Sequence, residues 1–268
     1  MALTTLNREI HCLALTALFT VACAGTKPAP GFFAGFDGYS RPIEARSARA
    51  EEFFEQGLQL LYGYNHDEAI RSFEAAAAED PQCVMAHWGI AYAKGLHINN
   101  TEMTEEASRA AYEASRAGLS VLESGAPVER ALMQAVATRY AWPVPEDRGP
   151  LDRAYADAMQ QVWAEYPNDP DVGALYAESL MNLQPWDLWT AAGEPKGRTL
   201  EIVDVLESTL ELNPLHPGAN HFYIHTVEAS NEPERAIPSA DRLVDLVPGA
   251  GHLVHMPSHI YTRVGRYA

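Results

Sequence analysis

From Ala50 onward, apolar and small residues follow helical spacing rather than strand alternation, and they do so with a longer period of 34 residues. Phe53, Gly57, Leu60, Ala69, Phe73, Ala76 and Pro81 fall at positions 4, 8, 11, 20, 24, 27 and 32 of a unit that starts at Ala50. Packing explains the choice. Small residues at positions 8 and 20 let two antiparallel helices approach, the aromatic at 24 fills the groove between them, and Pro at 32 stops the second helix. A second register appears near the C-terminus, where Pro214 and Pro248 are 34 apart with Ala236 at position 20 between them. After Pro248 a further unit places Gly265, Arg266 and Tyr267 at positions 15–17. Pro167 also fits position 32, and Ala177 then fits position 8 of the next unit. The surplus residues between these markers map to three loops, Leu96–Met103, Trp142–Pro150 and Gln184–Gly197. Between the loops Ala110, Ala111, Ala117, Leu119 and Leu122, and then Leu132, Val136 and Tyr140, keep helical spacing. No segment reads as a strand.

The register of Ala50–Pro81 resembles the tetratricopeptide repeat (TPR). The resemblance implies an all-α solenoid of about six stacked helical hairpins, wound into a superhelix with a concave face suited to a peptide or protein partner. The expected organisation is a signal peptide at 1–24, a flexible tether at 25–42 and a TPR-like superhelical domain at 43–268. The last repeat reads as incomplete, because Ala268 falls where its second helix should begin. The array is therefore expected to continue in a longer protein, or else to pair or swap with a second copy at that end.

Composition narrows the function. Lys and Arg number 19 against 36 Asp and Glu, a net charge of −17, which argues against nucleic acid and against a polybasic hold on lipid. Hydrophobic residues are 47% and charged residues 21%, a globular balance. No stretch reaches the roughly 18 apolar residues of a spanning helix. Residues 12–24 are apolar, follow Arg8 and end in small residues, a secretory signal pattern. Two cleavage patterns compete. Ala22-Cys23-Ala24 fits a signal-peptidase site, and Thr20-Val21-Ala22-Cys23 resembles a bacterial lipobox with Cys23 lipidated. The expected location is the periplasm, or a membrane anchored through Cys23 alone. Cys83 is then left unpaired, and no intramolecular disulfide is expected. Phe32, Phe33, Phe36 and Tyr39 are available to dock the tether onto the first helices.

Six of the ten histidines (His216, His221, His225, His252, His255 and His259) lie in the last 53 residues. In the repeat register His221, His225 and Glu228 take positions 5, 9 and 12 of one unit, and His252, His255 and His259 take positions 2, 5 and 9 of the next. The TPR resemblance implies that these positions line the concave face. Histidines four apart on a helix leave the same face about 6 Å apart, a spacing that can grip one metal ion. Glu178 holds position 9 of the preceding unit and is a second candidate carboxylate. The candidate metal ligands are His221, His225, Glu228, His252, His255 and His259, enough for two ions, with Glu228 or Glu178 as candidate catalytic groups. Imidazole plus carboxylate suits zinc, copper or iron rather than calcium or magnesium. Two other readings stay open: histidines satisfied within the core, and neutral imidazoles binding a peptide carboxylate. Pro257 raises a further doubt about geometry. A helix starting near Met256 would leave His255 before it and His259 inside it.

Other features are plainer. Pro185-Trp186-Asp187-Leu188-Trp189 is an aromatic loop, either a lid over the groove or a docking element. His66, His87 and His97 read as turn, capping and packing residues. The run Asn220–His225, with Glu228-Ala229-Ser230 and His255–Tyr261, resembles a group of exported bacterial TPR proteins without an assigned activity. Two functions remain: an exported binding module with a transition-metal site, or a metal-dependent enzyme, hydrolase or oxidoreductase, using the same residues.

Overall fold

The structure, a computed structural model, describes residues 30–267. The signal segment, Cys12, Cys23 and residues 25–29 lie outside the described residues. Within 30–267 the chain is all-α, with no strand. Five helical hairpins follow one another: α1 (Ala48–Tyr62) with α2 (His66–Glu79), α3 (Val84–Ala93) with α4 (Glu105–Ser120), α5 (Pro127–Ala137) with α6 (Gly149–Glu165), α7 (Pro170–Met181) with α8 (Thr199–Leu212), and α9 (Pro217–Val227) with α10 (Ile237–Leu246). Two short helices, α11 (Gly251–His255) and α12 (Pro257–Val264), form the first arm of a sixth unit.

Local chemistry sets these boundaries. Ser47 and Thr104 cap α1 and α4 through their side-chain oxygens. Proline opens α5, α7, α9 and α12, where its missing N–H costs nothing. The repeat logic is visible in one contact. A Cβ on Gly57 would lie 2.7 Å from the Phe73 ring, and one on Gly89 would lie 2.5 Å from it. Phe73 is thus clamped between α1 and α3, with small residues on both sides. The three surplus loops fall where the register places them, each between the two arms of a hairpin, after α3, α5 and α7.

Two first arms, α7 and α9, are enclosed far more than the second arms. Every residue of α9 is buried, and all of α7 except Pro170. By contrast α2, α4, α6 and α10 bury one stripe each. Helices buried on all sides, as α7 and α9 are, have their inner face covered as well. Three things cover it. The end of α1 reaches across, so that the Tyr62 carbonyl meets His221 Nδ1 at 2.7 Å. The loops after α3 and α7 fold inward, where the Trp186 indole N–H donates to the Ile98 carbonyl at 2.7 Å. The segment before α1 lies along the array.

That last point corrects the expected flexible tether at 25–42 for its described part, residues 30–42. Phe32 stacks on Phe53 with ring centres 4.7 Å apart, and Gln59 Nε2 donates to the Phe36 carbonyl at 2.6 Å. Gly249 N–H donates to the Gly35 carbonyl at 3.1 Å, so the segment also touches the last unit. Arg41 forks onto Asp169 at 2.7 and 2.8 Å and reaches Asp171 at 2.7 Å. Asp171 further accepts from Tyr39 at 2.9 Å and Tyr62 at 2.5 Å, and pairs with His216 at 3.2 Å. Its burial alone would raise the carboxyl, but these hydrogen bonds and the Arg41 charge hold it far below the usual range. The segment stays docked because leaving would strand Asp171 in the interior without its cation. Cys83, the one cysteine among the described residues, is buried. No helix among the described residues is long and apolar enough to cross a membrane.

Arg41→Ala is expected to lower the free energy of unfolding by about 3 kcal/mol, since it leaves a buried carboxylate without its cation. Urea denaturation checks this, and a loss below about 1 kcal/mol would show that the segment does not hold the array together.

Candidate metal centre

His216 sets the start of α9: its Nδ1 accepts the Ala219 N–H at 3.0 Å. With the helix fixed there, His221 and His225 project one turn apart from the same face, and their ring centres stand 4.9 Å apart. α11 and α12 lie alongside α9 and bring three more imidazoles. His252 approaches His221 with ring centres 4.8 Å apart, and His259 approaches His225 at 5.4 Å. His255 completes the circle, 4.9 Å from His259 and 6.1 Å from His252. The chain does break at Pro257, since α11 ends at His255 and α12 begins at Pro257. The backbone at Met256 nevertheless stays helical, and His255 and His259 still face each other, Nε2 to Nε2 at 3.0 Å. Five imidazoles therefore surround one hollow, as the register of two adjacent units implies.

The second nitrogen of each ring decides what the hollow offers. His221 Nδ1 faces the Tyr62 carbonyl, which can only accept, so Nδ1 carries the hydrogen. Glu228 takes the Nδ1–H of His225 on one oxygen at 3.1 Å and that of His259 on the other at 2.9 Å. In the neutral form all three rings then present an Nε2 lone pair. His252 Nε2 lies 3.0 Å from His221 Nε2, while His225 Nε2 is buried with no partner. Two overlapping sets of ligand atoms close to within 4.8 Å: His221, His225 and His252, and His225, Glu228 and His259. His225 belongs to both.

Burial favours the neutral form of His221, His225 and His252. Burial, reinforced by neighbouring imidazoles, pushes His221 well below the ordinary 6.5 and His252 to about 4. Burial also lowers His225, although Glu228 pulls the other way. For Glu228 burial is the largest influence and raises the carboxyl. The His225 and His259 hydrogen bonds and their charges outweigh it and hold the group at about 2. The site thus sets an ionised carboxylate, Glu228, against the buried ring of His225.

Glu178 stands apart from both sets. Its carboxylate accepts from Tyr92 at 2.8 Å and Asn182 at 2.5 Å, and burial raises it despite the Arg139 charge nearby. The reason is direction: the side chain meets Tyr92 of α3 rather than α9. Two neighbours of the hollow escaped the sequence reading. The Tyr64 ring, on a residue with φ of 54°, lies 4.5 Å from His221 and 4.4 Å from His97. His97 in turn lies 4.3 Å from His66, and burial lowers them to about 3 and about 4. They come from a hairpin turn and a surplus loop, and no spacing links them to α9.

On the other side of His225 lies a cavity of about 180 Å³. Glu228, His259 and Arg263 edge it, and Ile98, Met181, Trp186, Leu188 and Trp189 form its apolar wall. Both tryptophans are pinned by their indole N–H groups, Trp186 to Ile98 and Trp189 to the Thr226 carbonyl at 2.6 Å. Trp186 sets its ring edge-on to His225 with centres 5.1 Å apart. The aromatic loop is docked and roofs this cavity at once.

No family model matches the chain, and no curated protein matches it. Among solved structures it is similar to YrrB, a TPR protein with an unusual peptide-binding site, at 14% identity and a TM-score of 0.37. The match covers 77% of this chain and 90% of that one. The histidine hollow is read from this chain alone.

The depressed imidazoles carry a pH signature. Between about 6.5, the unfolded value, and about 4, the folded value of His66 and His252, the unfolded chain binds protons that the folded chain does not. Stability therefore falls as pH falls through that window. Metal-free protein should show a falling urea midpoint from pH 7 to pH 4, and His252→Gln should flatten the slope; a midpoint independent of pH would contradict the burial assigned to these rings.

Proposed function

We propose that the chain is an exported helical-repeat binding module whose interior holds a transition-metal ion on the Nε2 atoms of His221, His225 and His252, with His259 and His255 adjoining. One observation carries the reading: His221 and His225 are fixed with Nδ1 protonated, one nitrogen each of His221, His225 and His252 lie within 4.8 Å of one another, and His225 Nε2 is buried without a partner. An unpartnered buried nitrogen is costly in a closed protein core and useful in a ligand set. Two nitrogens bound at about 2.0–2.1 Å to one tetrahedral ion stand about 3.3 Å apart. The His221–His252 and His255–His259 contacts of 3.0 Å are close to that bite. Glu228 acts as the orienting carboxylate behind two rings, a common support for metal-bound histidine. Both its oxygens are so engaged, which favours that role over ligand or general base. His255 is exposed and His259 half-exposed, giving an ion a way in. Imidazole-rich ligation suits zinc, copper or iron.

The apolar stretch at 12–24 supports export, to the periplasm or to a membrane through Cys23. A partner peptide in the concave face would need an open groove. A cavity of about 180 Å³ instead suits one side chain or a small molecule. That same cavity favours the second reading, a metal-dependent enzyme in which the ion activates water or oxygen beside a bound small molecule.

Purified protein should retain at least one transition-metal ion per chain, and a chelator should lower its melting temperature. His225→Ala should abolish the metal and remove the chelator's effect. Elemental analysis that finds no metal even after reconstitution, or a chelator shift that survives in His225→Ala, would contradict the reading.

A further inference from the structure

The cavity beside the histidine hollow is not needed to hold an ion, and its walls describe a ligand. An engineered cavity of about 150 Å³ admits benzene. At about 180 Å³ this one has room for a six-membered ring and a small substituent. Its wall is flat and apolar where Trp186, Trp189, Leu188 and Met181 meet. Its polar groups, His225, Glu228, His259 and Arg263, come from α9, its C-terminal end and α12. Of these, the His225 and His259 imidazoles are held by Glu228. Glu228 already takes two N–H groups. Arg263 is different: its side chain is 47% exposed, and its Nη2 lies 3.8 Å from Glu228 Oε2, beyond hydrogen-bonding distance. A planar fork at the edge of an apolar slot matches a carboxylate.

We propose that this cavity binds a small aromatic carboxylate, its ring between the tryptophan loop and Met181 and its carboxylate on Arg263. The proposal rests on the metal reading, because of charge. Glu228 and Arg263 alone cancel, so the metal-free pocket offers an anion no net attraction. A divalent ion in the hollow makes the polar end positive and sets the preference for an anion over a neutral or cationic molecule.

The test titrates zinc-loaded full-length chain with benzoate and with benzyl alcohol, which has the same ring without the charge, using calorimetry and indole fluorescence. Benzoate should bind once per chain and about tenfold more tightly than benzyl alcohol. Arg263→Gln should weaken benzoate about tenfold while leaving zinc content and benzyl alcohol affinity unchanged, and Trp186→Ala should weaken both probes. Equal affinity for the two probes, benzoate binding untouched by Arg263→Gln, or no benzoate binding by protein that holds its zinc would overturn the proposal and leave the metal reading intact. A chain that takes up no zinc would overturn the metal reading, and this one with it.

Discussion

The hydrogen bond from His221 Nδ1 to the Tyr62 carbonyl joins residues 159 apart in sequence and does two things at once. It closes the array, because the end of the first arm of the first hairpin now touches the first arm of the fifth. It also fixes the tautomer of a buried imidazole and so aims the other nitrogen inward. A straight solenoid could not make this contact, and its inner face would be wet. Here His221 and His225 are buried and held below the ordinary imidazole range, so these two rings offer lone pairs rather than charge.

Closure needs support that the hairpins alone do not supply. The segment before α1 runs across the array and is locked by Arg41 on Asp169 and Asp171, with Tyr39, Tyr62 and His216 filling the remaining sites on Asp171. His216 connects this lock to the hollow, because the same ring that meets Asp171 caps α9, the helix carrying His221 and His225. The loops that break the 34-residue period are the other half of the device. Those after α3 and α7 meet over the hollow through Trp186 and Ile98 and leave a small apolar chamber against His225. What looks like noise in the repeat is where the site acquires its walls.

Much of this is legible in sequence because repeat packing is local. Gly57 and Phe73 predict their own contact, the prolines mark helix starts and stops, and the surplus loops fall out of the register. The histidine cluster is legible for the same reason, since equivalent positions of adjacent hairpins are neighbours in space. The failures share a cause too. Glu178 occupies an equivalent position, but the curl of the array turns its side chain to Tyr92 and Arg139 instead of α9. Tyr64 and His97 border the hollow only because the array closes, and closure is a long-range property that no 34-residue window contains. Residues 30–42 look like a tether by composition, and only the distant Asp169 and Asp171 reveal Arg41 as an anchor. Pro257 breaks the helix as its chemistry demands, yet a single helical residue at Met256 keeps His255 and His259 in register.

The claim that three imidazoles present Nε2 to a shared ion is tested most directly by long-range proton–nitrogen correlation NMR of the histidine rings, with and without zinc. The account predicts that His221, His225 and His259 keep Nδ1 protonated throughout and that the Nε2 signals of His221 and His225 move on zinc addition. Rings that bind through Nδ1, or that do not respond to zinc at all, would contradict it.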